Sequence, residues 1–238
     1  MKNLSFLSAV KKRYVDVSQA RRHMFHASND ATAIAKRAIF ALHREDLPEA
    51  AALLKEASGL ISKATAEAKK YPELRGQGPY HAALEEYAEA LLLQNYLVKG
   101  DWKNAEALKL DADIFLGALS DATGELVRYA VRQATKGNLK TVEKARETVE
   151  ATVGFILELD LTGDLRQKGD QAKRNLRTLE EMMYQISLVR KGDYGLARRL
   201  WPRGRKGTNP PSLGFGRTWR GGGGWIFILV LFEGYYRS

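Results

Sequence analysis

The chain is 238 residues long, 45% hydrophobic and without cysteine. That is enough for one large domain or two small ones with a real core, and it excludes a disulfide framework, a zinc-thiolate centre and a thiol nucleophile. The formal charge of +10 is unevenly spread. Residues 1–44 hold nine Lys/Arg against two acids and residues 193–238 hold eight against two, so the body between them is slightly acidic.

No Gly or Pro occurs from Ser5 to Asp46, and Ala20, Met24, Ala27, Ala31, Ile34, Ala38 and Ala41 alternate at spacings of four and three. This predicts one long helix with a seam of small residues, which lets a partner helix approach closely and sets the seam deep in a bundle. Arg22, Asn29, Lys36 and His43 recur every seven residues on another stripe, with Arg37 and Arg44 beside them. That stripe is expected to face water or phosphate. Pro48 suits the first turn of a second helix running to about Tyr71, and "YPELRGQGP" reads as a loop. A third helix is predicted from about Tyr80 to Val98, stopped by Gly100. A short helical piece from Asp101 leads into a fourth over about Asp111 to Lys136. "KGN" breaks the chain, a fifth covers about Leu139 to Leu159, and a sixth covers Leu165 to Lys191. No segment alternates as a sheet strand does. The expected fold is an all-α bundle of six or seven helices in one domain, residues 1–192.

The composition changes at Gly192: the remaining residues contain ten of the 21 glycines, three of the six prolines and three of the four tryptophans. Residues 193–238 read as a low-complexity basic tail, disordered or non-native, with an RNA-binding arm as the rival reading. The run "WIFILVLF" is far short of the roughly 20 residues a membrane span needs. The N-terminus has no apolar run of signal-peptide length, so a cytoplasmic location without membrane contact is expected.

Two stretches carry candidate chemistry. "EEYAEALLLQNYL" sets Glu86 three residues before Glu89, and "SDATGELVRY" sets Asp121 four residues before Glu125. On helices, each pair shares a face. If the two helices are neighbours, four carboxylates converge and repel unless shared protons or a hard cation relieve them. All-oxygen ligation suits Mg²⁺ or Mn²⁺. Iron is disfavoured, because no histidine follows a glutamate by three residues as in di-iron bundles. Acidic pairs are also common on solvated helix faces, so spacing by itself leaves both readings open. No phosphate loop or nucleophile elbow is present.

"ASNDATAIAKRAIFALHR", "EEYAEALLLQNYL", "SDATGELVRYAVRQATKGN" and "EMMYQISLVRKG", in that order, resemble the hallmark stretches of the translin superfamily. The similarity spans about residues 10–192 and is greatest to the branch of translin-associated factor X, called Trax. The resemblance implies an all-helical fold, binding of single-stranded RNA or DNA, and assembly into hollow, roughly octameric shells. For the Trax branch it also implies a Mg²⁺-dependent endoribonuclease. The catalytic acids of that branch lie in an E-Y-x-E and a D-x-T-G-E element, which carries the roles of metal ligand and catalytic group onto Glu86, Glu89 and Asp121, with Glu125 in the same element. Asp113 is one residue out of step with an upstream aspartate of the family and is not carried over. The long first helix lines the shell interior in that family. Arg21, Arg22, Lys36, Arg37 and Arg44 are therefore expected to hold the RNA backbone, with a homo-oligomer as the assembly. Tyr80 or Tyr87 is a candidate for stacking a base, although a core role is the commoner fate of such an aromatic. The implied reaction is phosphodiester hydrolysis by metal-activated water, leaving a 5′-phosphate and a 3′-hydroxyl. The alternative is a binding shell that cuts nothing.

Overall fold

A computed structural model describes residues 6–102 and 110–190. Among these, six helices and no strand occur: α1 Phe6–His43, α2 Leu47–Lys70, α3 Gly78–Lys99, α4 Ala112–Thr135, α5 Leu139–Leu157 and α6 Gly163–Arg190. The short helical piece expected after Asp101 and the tail from residue 193 lie outside the described residues.

The boundaries follow local chemistry. Asp46 caps α2, accepting a hydrogen bond from the Glu49 amide at 3.1 Å, and Pro48 sits in the first turn, where its missing N–H costs nothing. The predicted loop contains one 3₁₀ turn, Pro72–Leu74, whose Leu74 is buried. Helix α3 begins two residues earlier than expected because Pro79 is accommodated in its first turn. Gly100 ends it in the left-handed conformation, φ +78°, as does Gly137 after α4, φ +79°.

Helix α1 packs along α2 and α3, α3 packs on α4, and α4, α5 and α6 pack on one another. The seam of α1 is buried as expected, except that Ala27 is only partly covered while its neighbour Ser28 is enclosed. One apolar cluster joins the C-terminal half of α1 to the other five helices through residues such as Leu42, Leu54, Leu93, Leu126, Val149 and Leu179. A second, around Met24, Ala64, Leu74 and Leu84, fills the opposite end of α1. A third, Ala88, Leu92, Ala118, Leu119 and Ala122, is the direct α3–α4 contact. Its alanines allow the two helices to approach closely, and Ala88 and Ala122 each adjoin a candidate acid in sequence.

Two polar ties fix the frame. Asn175 on α6 donates to the Thr123 hydroxyl on α4 at 2.8 Å, and that hydroxyl donates to the Ser120 carbonyl at 2.6 Å. In the α1–α2 turn, Glu45 has φ 63° and accepts from Gln133 at 2.9 Å and Lys136 at 2.6 Å, both at the end of α4.

Candidate acidic centre between α1, α3, α4 and α6

Because α3 and α4 touch through small residues, the E-x-x-E face of one and the D-x-x-x-E face of the other meet. Glu89 is 9% exposed, and no hydrogen bond or ion pair reaches its carboxylate from the described residues. Burial, reinforced by the charges of Glu86, Glu125 and Asp121 and opposed by Lys168, pushes its pKa up to about 9. Glu86 is raised as well, first by burial; Lys36 pulls it down, and the Asp121 and Glu125 carboxylates push it up. The Asp121 and Glu125 carboxylates of α4 therefore act on both glutamates of α3 across the helix interface.

Two lysines and a histidine from other elements enter the cluster. Lys36 on α1 lies 3.7 Å from Glu86. His43, the last residue of α1, touches the Glu125 carboxylate through Nε2, while its buried Nδ1 has no hydrogen-bond partner among the described residues. Lys168 on α6 donates to Asp121 and, at 2.7 Å, to Glu85. Burial opposes the charge of this ammonium, but its two carboxylate hydrogen bonds outweigh that and hold its pKa above the ordinary value. Glu85 reaches this position because residue 117 is glycine: a Cβ there would lie 1.7 Å from the Glu85 Oε1.

Each polar member of Asp121-Ala122-Thr123-Gly124-Glu125 thus has its own partner helix. Asp121 and Thr123 meet α6, and Glu125 meets α1. Arg128, which is exposed, also lies 3.7 Å from the half-buried Glu125. As the side chains stand, no three Asp, Glu or His residues gather around one point among the described residues, since Asp121 and Glu125 are turned to Lys168 and His43. The donor set nonetheless fits a hard divalent cation in kind: it is all oxygen, strongly negative, and includes one buried carboxylate with no cation in contact.

Of the basic residues, Arg22, Lys36 and Arg37 are exposed on α1, Arg44 is exposed in the turn that follows it, and Arg21 is half-buried. Arg44 also pairs with Glu49. The seven-residue stripe requires one correction. His43 was expected to face water or phosphate, yet it is 1% exposed. A straight helix drifts by about 20° per heptad, so the stripe that is solvated at Arg22 has turned by about 60° toward the core at His43. Tyr80 is a core residue whose hydroxyl meets Thr65 at 2.9 Å, and Tyr87 packs against the core, so neither is an open stacking surface. Lys168 and Glu85 were not anticipated. A lysine on a polar helix gives no sign of what it meets, and Glu85 adjoins an acidic motif without belonging to its spacing.

The helical fold is similar to that of known proteins. The apo-NeC3PO crystal structure matches with a TM-score of 0.68 and 27% identity over 76% of this chain and 95% of that one. AfC3PO in complex with duplex RNA matches with a TM-score of 0.71 and 25% identity over 77% and 97%. AfC3PO crystallised alone matches equally well, over 77% and 98%. No curated protein matches the chain. The Translin family model matches residues 19–191, a span that contains α2 to α6, most of α1 and all four acids, and the chain therefore belongs to the Translin family.

Proposed function

We propose that the chain is a single-stranded RNA-binding endoribonuclease of the Trax type, holding Mg²⁺, or Mn²⁺, on Glu86, Glu89, Asp121 and Glu125. The observation that carries this reading is the coupling of four carboxylates from two helices around Glu89, which is buried without a cation in contact among the described residues. Structural networks normally avoid such an arrangement, because every uncompensated negative charge destabilises the others. The similarity to AfC3PO, which has been solved with duplex RNA, supports a nucleic-acid ligand. Arg21, Arg22, Lys36, Arg37 and Arg44 would hold the phosphodiester backbone on α1. Lys36, 3.7 Å from Glu86, is the link between that ridge and the acids. Lys168 orients Asp121, and His43 orients Glu125. A bound divalent cation supplies an activated water and neutralises charge on the scissile phosphate.

The assembly we infer is a homo-oligomer, octameric as the resemblance implies. Phe6, Val10 and Tyr14, spaced by four on α1, form an exposed apolar stripe suited to a second copy of the chain.

A second reading, a shell that binds nucleic acid without cutting it, is favoured by the basic side chains already paired with three of the four acids. Incubation of a short single-stranded RNA with and without Mg²⁺ separates the two. The nuclease reading expects cleavage only with metal, leaving 5′-phosphate and 3′-hydroxyl ends. Binding without cleavage in every divalent cation tried would leave the shell as the function.

A further inference from the structure

We propose that Phe40 on α1 is a stacking platform for a base of single-stranded nucleic acid, clamped by Lys36, Arg37 and Arg44. This inference rests on the nucleic-acid reading above and goes beyond it by assigning the ligand's base, rather than its backbone, to a particular side chain. Phe40 is 51% exposed, although Ile39 and Leu42 beside it are buried in the core. Lys36 and Arg37 precede it by four and three residues, the spacings that share one helix face, and Arg44 follows in the turn after α1. The Arg44 guanidinium carbon lies 4.9 Å from the centre of the phenyl ring, and Glu49 pairs with that guanidinium, restraining it. Together these five residues line a shallow open pocket.

A water-facing phenyl ring ringed by cations matches a ligand that is flat and π-faced at one end and anionic at the other. A nucleotide in an unpaired strand is such a ligand: its base stacks on the ring and its phosphates meet Lys36 and Arg37. Bases within a duplex are stacked on their own neighbours and present no free face, so the platform selects single strands. Its place along α1 also matters. Lys36, one turn from Phe40, lies 3.7 Å from Glu86, so a base seated on Phe40 brings its strand alongside the acidic centre. A second protein surface is the less suitable occupant, since it would need an apolar patch flanked by carboxylates for both Lys36 and Arg37.

The test measures equilibrium binding of a short oligouridylate and of an abasic strand with the same backbone, in chelator so that nothing is cleaved, to the full chain and its Phe40→Ala and Phe40→Trp variants. Phe40→Ala is expected to weaken binding of the base-bearing strand about tenfold, and Phe40→Trp to restore it. Affinity for the abasic strand and the slope of log affinity against log salt stay as in the parent, because no phosphate contact has gone. If Phe40→Ala binds oligouridylate as well as the parent does, the platform is overturned and nucleic-acid binding stands. If the parent binds neither strand, both readings fall. Equal losses for both strands, with a change of assembly mass in light scattering, would make Phe40 an interface between copies and overturn the proposal.

Discussion

The acids of α3 and α4 and the bases of α1 are both charged residues at helical spacing, yet they experience different physics. Lys36, Arg37 and Arg44 are exposed on the outer ridge, where solvent screens each charge and neighbours act almost independently. The four acids sit where α3 meets α4: burial raises the proton affinity of Glu86 and Glu89, and the Asp121 and Glu125 carboxylates raise it further. Spacing alone does not separate the two cases. What separates them is the packing partner: the ridge faces solvent, whereas Glu89 is buried where α3 meets α4 through Ala88, Ala118 and Ala122.

The sharpest way to break this comparison is to remove one charge from the coupled set. Glu89→Gln or Asp121→Asn is expected to lower Mg²⁺-dependent cleavage by about a hundredfold or more in single-turnover assays, while RNA affinity changes little. Cleavage by Asp121→Asn at the parental rate would sink the nuclease reading. Assembly offers a similarly large effect. Replacing Phe6, Val10 and Tyr14 with Ser should reduce the mass seen by light scattering, and a parent that is already a stable monomer at micromolar concentration would overturn the homo-oligomer.

The coupling also has a signature that needs no catalysis. The pKa of Glu89 rises from 4.5 to about 9 on folding, so its contribution to stability is fully present below about 4.5 and is lost as pH rises toward about 9. In chelator, Glu89→Gln should flatten that decline and stabilise the protein at mildly alkaline pH by on the order of 1 kcal/mol or more. Denaturant unfolding of parent and variant across that range checks it. An equal pH dependence in both would mean that Glu89 titrates as an exposed acid does.

On the ridge the effects should be smaller and additive. Arg37→Ala is expected to lower the slope of log affinity against log salt by about 0.7, one phosphate contact on a single strand, with stability nearly unchanged. Lys36→Ala is less clean, because Lys36 also meets Glu86. A nonadditive Arg37/Arg44 pair would show that the ridge, too, is coupled.

Much of the architecture was legible because local chemistry and global fold agree. Pro48, Gly100 and Gly137 punctuate the helices where backbone sterics require it, and the alanine seam of α1 announces close packing. The acids of the centre could also be named, through the resemblance of their motifs, although spacing left a solvated face equally open. Less could be read of what surrounds them. His43 looked like one more member of a basic stripe, and only helical drift over three heptads carries it inward to Glu125. Lys168, on α6, reaches Asp121 because Asn175 docks that helix against Thr123 two turns away.

The sequence by itself therefore determined that the described residues are helical, where those helices begin and end to within about two residues, and which residues carry charge, since these depend on interactions between residues a few positions apart. The tertiary structure decided which charges share a dielectric environment. Electrostatic coupling depends on distance and burial together, and both are set by helices far apart in the chain: α1 brings Lys36 and His43, α6 brings Lys168, and the small-residue contact of α3 with α4 leaves Glu89 near three other acids with no cation in contact among the described residues.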